Sequence, residues 1–365
     1  MKKRFLGPVA LASAGLFLLA ACGSSSTASA PASSGSPAAA PSAGSPSSGS
    51  ASSTAPAAPS GSSSDGPAPS GAVVPSAGRD PASVKFDGAT FVVSSKDFTE
   101  SILLGKITGS VLKFHGANVT DKTNLKGSVT TRTALTSGDV DMYWEYTGTG
   151  WITYLKNTKP ISDPTAQYTA VKTADAKNGI AWLAPTPMND TYAMAIRSGV
   201  SGPAGSVKTL SELAALTKSS PADATFCLES EFATRDDGFP GMTKAYGMTV
   251  PASNVKTLDT GVIYNETAKG SSCNFGEVFA TDGRISALKL TVLEDDKHFF
   301  PNYNAALTLK AGLLAKYPGI ATVMDPIAAK LDNATMTKLN AEVDNDGSDP
   351  QDVADAWLKA QGFIS

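Results

Sequence analysis

TFVVSSKDFTESILLGKITGSVLKFHG, residues 90–116, changes its hydrophobic period part-way along. TFVVSS (90–95) has the β-branched and aromatic composition of a buried strand. Beyond it, Leu103, Leu104, Ile107, Val111 and Leu112 recur at helical spacing, and Gly116 supplies the stop. The alternation continues downstream. SVTTRTALTSG predicts a second helix, VDMYWEY a strand, and AWLAP and YAMAIR two more strands. Thr209 and Glu212 form a capping box at the head of TLSELAAL. ATFCLES, FGEVFAT and LKLTVLED read as strands. Three helical stretches close the chain: GIATVMDPIAAKL, TMTKLNAEV and PQDVADAWLKAQG. Such a pattern implies an α/β fold with mostly parallel sheet, and sites in such folds lie at the C-terminal ends of strands.

One strand end is unusual. VDMYWEYTGTGW (140–151) gathers Tyr143, Trp144, Tyr146 and Trp151 in a chain that is only 7% aromatic. Tyr143, Trp144 and Trp151 are read as packing. Tyr146 and Thr149 share a short turn beyond the strand and are site candidates.

The N-terminus reads as an export signal over residues 1–21. Lys2, Lys3 and Arg4 precede an apolar run from Phe5 to Leu19, and small residues follow. The run ends in LAAC, which resembles a bacterial lipobox in which Cys22 carries the lipid; the alternative is an ordinary signal with an unrelated Cys. Lipidation anchors a protein without spanning the membrane, and no later apolar run approaches a spanning length. Residues 22–85 are almost wholly Ser, Ala, Pro and Gly, too poor in large apolar groups to offset ordering entropy. As a flexible coil such a segment reaches ~40 Å. The remainder, roughly 280 residues, suffices for one large or two medium domains. A net charge of −3 argues against nucleic acid as a partner. Cys227 and Cys273 form an even pair in an exported chain, which favours a disulfide over a metal pair or a thiol nucleophile.

Six stretches occur in order: SSKDFTE, TRTALTSGDVDMYWEYTGTGW, PMNDTYAMAIR, ATRDDGFPGM, FATDGRI and LEDDKHFFPNY. Together they resemble the substrate-binding proteins of osmoprotectant ABC importers, of the glycine betaine, carnitine and choline type, over residues 86–365. The resemblance implies a two-lobed α/β fold of the type II periplasmic-binding-protein kind, with a ligand cleft between the lobes. Lobe one would comprise 86–193 plus 290–365, and lobe two 194–289. It also implies a monomeric, extracytoplasmic receptor, held at the membrane by its lipid, that serves an ABC permease with separate ATPase subunits. No enzyme activity, cofactor or metal is expected.

A quaternary ammonium has no N–H to donate, so aromatic faces must hold it. The family's cage falls on Tyr146, Tyr192 and Tyr303, with Phe279 where the family has a fourth Tyr. A ligand carboxylate would fall to Lys96, Thr149 and Arg235, and Asp190 would offer its backbone carbonyl to the cation. Choline, carnitine and a histidine-derived betaine are alternative ligands, and a cell-envelope enzyme is a distant one.

Other signals are set aside. His115 and His298 sit in unrelated contexts, so no His-centred catalytic site is supported. Asp139, Asp141 and Glu145 lack an evident acid–base partner. EVDNDGSDPQDV (342–353) hints at a calcium loop but lacks the closing Glu, and reads better as a loop leading into a helix. Arg132 is the rival to Arg235 for the carboxylate and is read as a helix-surface residue.

Overall fold

The structure is a computed structural model that describes residues 80–365. The signal, Cys22 and nearly all of the small-residue segment lie outside the described residues. From Thr90 the chain runs through β1 (Thr90–Lys96), α1 (Thr99–Phe114), β2 (Asn118–Leu125), α2 (Ser128–Ser137), β3 (Met142–Tyr146), a helical turn α3 (Thr147–Thr149), α4 (Pro164–Asp175) and β4 (Ile180–Pro185). The middle carries β5 (Tyr192–Arg197), α5 (Leu210–Ser219), β6 (Phe226–Leu228), α6 (Phe239–Tyr246), β7 (Val255–Thr257), α7 (Thr260–Lys269), β8 (Phe275–Phe279), α8 (Arg284–Ala287) and β9 (Leu290–Val292). The end is β10 (Ala305–Lys310), α9 (Ala311–Lys316), α10 (Gly319–Ala328), α11 (Asn333–Asp344) and α12 (Pro350–Ala360).

The strands form two five-stranded sheets, ordered β2-β1-β3-β10-β4 and β7-β6-β8-β5-β9. In the first, β1 lies parallel to β2 and β3, while β10 runs antiparallel to β3 and β4. In the second, β6 lies parallel to β7 and β8, while β5 runs antiparallel to β8 and β9. This corrects the mostly parallel expectation: each sheet receives one strand whose direction is set by the chain crossing between sheets. Strand β10 enters the first sheet from the second, and β5 enters the second from the first.

The α1 stripe of Leu103, Leu104, Ile107, Val111 and Leu112 is fully buried, and the helix ends before Gly116 at φ 90°. The capping box is present, with the Thr209 hydroxyl accepting from Glu212 N and the Glu212 carboxylate accepting from Thr209 N. Asp349 caps α12 ahead of Pro350, so the acidic loop there does lead into a helix. Cys227 and Cys273 are joined in a disulfide, Cα–Cα 5.7 Å, tying β6 to the turn before β8. Among the described residues no helix is long and apolar enough to cross a membrane.

Two segments connect the sheets, 186–191 and 293–304. They lie side by side: Thr186 N donates to Ala305 O at 2.8 Å, Tyr303 N to Asn189 Oδ1 at 2.7 Å, and Asn304 Nδ2 to Met188 O at 2.8 Å. Leu290–Val292, placed with lobe one by the sequence boundaries, pairs with β5 in the second sheet.

Candidate ligand-binding site

Strand ends from both sheets and the crossing segments border one cavity of about 320 Å³. Tyr146 ends β3, Tyr192 begins β5, Phe279 ends β8, and Tyr303 lies on the second crossing; all four line the cavity. Their rings form a connected row through a fifth, Phe98. The centroid of Phe98 is 5.8 Å from Tyr146 and 5.0 Å from Phe279. Tyr192 then stands 5.3 Å from Phe279 and 5.2 Å from Tyr303. Two of the three hydroxyls point away into acceptors, Tyr146 donating to Glu100 Oε1 at 2.9 Å and Tyr303 to Asp237 Oδ2 at 2.8 Å. These bonds fix the rings, which must keep their faces available if they are to hold a cation.

Phe98 escaped the sequence reading, although its signal is there. It occupies the N-cap of α1 without a side-chain cap bond, where Ser, Thr, Asp or Asn would be favoured. A large ring at that position costs helix stability unless it serves something else.

The basic residues are already engaged. Lys96 lines the cavity, but its Nζ is 2.6 Å from Glu145 Oε1 and 5.0 Å from the Tyr146 ring centre. Glu145 thus has the partner that its sequence context did not reveal. Arg235 stands behind the wall: Nε donates to Asp237 Oδ1 and Nη1 to Glu231 Oε1, both at 2.7 Å, and Nη2 donates to Asp237 Oδ2. Its Nη2 also reaches Thr149 Oγ1 at 3.3 Å, and Thr149 lines the cavity. Burial alone would raise the Glu231 carboxyl, but Arg235, Lys96 and the N–H of Ser128 hold it down at about 2. Asp190 lines the cavity with its carboxyl bonded to Thr281, at N 3.3 Å and Oγ1 2.6 Å. The acidic lining consists of Asp97, Asp190, Glu229 and Glu231 against Lys96 and Lys126. Lys96 is paired with Glu145 and Glu231 with Arg235, which leaves Asp97, Asp190 and Glu229 facing Lys126.

One reading needs correction. Arg132 is not a surface residue: it is buried on Asp175, with Nη1 2.9 Å from Oδ2. Gly148 and Gly150 make room for rings. A Cβ on Gly148 would meet Tyr303 at 2.7 Å, and one on Gly150 would meet Trp182 at 2.8 Å. Tyr143 and Trp144 are packed as read, with Tyr143 donating to Glu145 and the Trp144 indole to Thr108. Trp151 is half-buried and donates to Lys159 O. Among the described residues no cluster of His, Cys, Asp and Glu could hold a metal ion.

Residues 89–360 match the model of a protein family, the substrate binding domain of ABC-type glycine betaine transport systems. The chain belongs to this family. It is similar to a glycine-betaine-binding protein of Pseudomonas aeruginosa, with 38% identity over 279 residues, 75% of this chain and 89% of the relative. It is 35% identical to the glycine betaine-binding protein YehZ of Escherichia coli K12 over 280 residues, 74% of this chain and 90% of that one. The solved structure of apo YehZ from Escherichia coli superposes with a TM-score of 0.56 at 31% identity, covering 76% of this chain and all (100%) of the other. The architecture, two mixed sheets with helices and a cleft, is that of the type II periplasmic binding proteins.

Proposed function

We propose that this chain is the extracytoplasmic receptor of an ABC importer for glycine betaine or a closely related quaternary ammonium solute. One observation carries the reading: five aromatic rings, Phe98, Tyr146, Tyr192, Phe279 and Tyr303, border a single cavity between two sheets. Rings so grouped offer several π faces to one cation, each worth about 0.5–2 kcal/mol. The names of the similar proteins support the same class of ligand.

The ligand carboxylate would meet Lys96 and Thr149. Arg235 acts through Thr149: the hydroxyl oxygen accepts from Arg235 and its proton is free to be donated to the ligand. A solute without a carboxylate, such as choline, is the second reading, favoured because Lys96 and Arg235 are paired with protein carboxylates already. Calorimetric titration with glycine betaine, carnitine, choline and a histidine-derived betaine separates these. Glycine betaine binding at least tenfold tighter than choline supports the carboxylate contacts, and the reverse order favours the second reading.

The two lobes would be the two sheets with their helices, turning about the paired crossings 186–191 and 293–304, with closure presented to the permease. The chain would act as a monomer that binds and releases, while ATP hydrolysis belongs to other subunits. Cys22 would carry the lipid that holds it at the membrane surface. Metabolic labelling with a radioactive fatty acid tests this: label on the wild type and none on Cys22→Ala is expected.

A further inference from the structure

Beneath the aromatic row, two carboxyl groups meet over one hydroxyl. Thr281 Oγ1 lies 2.5 Å from Glu100 Oε2 and 2.6 Å from Asp190 Oδ1. A threonine hydroxyl has a single proton to donate. If both acids were ionised, one of these close oxygen contacts would have no hydrogen in it. Neither acid forms an ion pair among the described residues, and both are buried, at 3% and 4% exposure. The charged and titratable groups around them are Tyr146 from β3, Tyr264 from α7, and Arg284 with its partners Asp282 and Asp344. Arg284 is therefore already balanced by two carboxylates.

The donors are shared unequally. Glu100 accepts from Tyr146 Oη at 2.9 Å, Asn340 Nδ2 at 3.2 Å and Thr281. Asp190 has, besides the Thr281 hydroxyl contact, the N–H of Thr281 at 3.3 Å and the Glu100 carboxyl itself, which can share a hydrogen bond with it only if one of the two is protonated. Glu100 is thus the better-solvated carboxylate and Asp190 the better place for a proton. We propose that Asp190 and Glu100 share one proton, held on Asp190 in the empty receptor, and that a cationic ligand entering the aromatic cavity expels it to solvent. Asp190 then donates to Thr281 Oγ1, and Thr281 donates to Glu100. Asp190 is the member of the pair that lines the cavity, so its ionisation places a negative charge beside the incoming cation and its proton leaves through the same opening. Burial and the neighbouring Glu100 charge raise Asp190 well above the usual carboxylate range, in agreement with this geometry.

The inference rests on the receptor reading above and adds a pH dependence to it. Cation binding and proton release are reciprocal, so acid weakens binding. The test has two arms. Infrared spectroscopy of ligand-free Glu277→Gln protein, which lacks the other carboxyl protonated at neutral pH, should show a protonated carboxyl band that disappears when Glu100→Gln and Asp190→Asn are added. Calorimetric titration of wild type with glycine betaine and with choline, in two buffers of different ionisation enthalpy, should show release of close to one proton per ligand. Affinity should fall up to about tenfold per pH unit on the acid side. Asp190→Asn, which keeps a donor to Thr281, should bind weakly, without proton release and without pH dependence. Absence of the infrared band, or tight binding without proton release, overturns the proposal. A protein that shows the band but binds neither probe fails instead on the receptor reading, and the coupling falls with it.

Discussion

The Lys96 ammonium lies 2.6 Å from Glu145 Oε1, with both side chains almost wholly shut off from solvent. Removing two charges from water costs several kcal/mol per ion, which only close pairing and further hydrogen bonds offset. Glu145 has those bonds. Its Oε2 accepts from the hydroxyls of Tyr143 at 2.7 Å and Tyr154 at 2.8 Å, and its Oε1 accepts from Tyr146 N at 2.8 Å. Glu145→Gln leaves Lys96 buried opposite a neutral amide and is expected to lower stability by about 3–5 kcal/mol, read by urea unfolding. A loss under ~1 kcal/mol would show the pair to be as weak as a surface one.

On the proposed receptor reading, the ring row makes Phe98 a ligand contact. Phe98→Leu keeps an apolar side chain but removes a π face, so glycine betaine affinity should fall roughly 2- to 30-fold while the melting temperature barely moves. Phe279→Tyr, which keeps its face, should be tolerated. Equal affinities for wild type and Phe98→Leu would place that ring outside the cage.

Gly148 serves Tyr303. A methyl there would stand 2.7 Å from the Tyr303 ring and 2.9 Å from Asn302 O, so Gly148→Ala must push the ring or the second crossing aside. Overpacking of this kind costs about 1–3 kcal/mol. The loss should appear in both affinity and stability. Unchanged values for both would mean that the crossing yields freely.

Glu277 gives a pH signature. Burial pushes its carboxyl up from 4.5 to about 8, against the pull of the Glu229 N–H that it accepts. The folded state therefore binds a proton that the unfolded state releases, and stability from this group declines as pH rises from about 4.5 to about 8. Glu277→Gln keeps an acceptor for Glu229 N and never ionises. Its stability advantage over wild type should grow across that window and then level off, as followed by denaturant midpoints. An advantage independent of pH would contradict the assignment.

How much of this was legible beforehand depends on the kind of signal. The β1–α1 unit was readable because its apolar residues switch from a strand run to a helical stripe. Strand β2 was not, since NVTDKTNL is an edge strand with mostly exposed or half-buried residues and no apolar alternation. The run AALTLK of β10 was missed because its Ala and Leu residues suit a helix and it runs straight into α9, and only its insertion between β3 and β4 makes it a strand. At the site, resemblance pointed to four rings that line the cavity. The acid partners of Lys96 and Arg235 were hidden because they depend on which elements meet. Glu145 offered a clue in hindsight: an acid inside the fully buried run MYWEY demands a buried cation.

The central claim is that methylated ammonium is what the cavity recognises. Calorimetric titration of the purified protein with glycine betaine and, in parallel, with glycine tests it most directly, because both carry the same carboxylate and only one carries the trimethylated head. Saturable binding of one glycine betaine per chain, with no measurable heat from glycine, is the predicted result. Comparable binding of both, or of neither, contradicts the account.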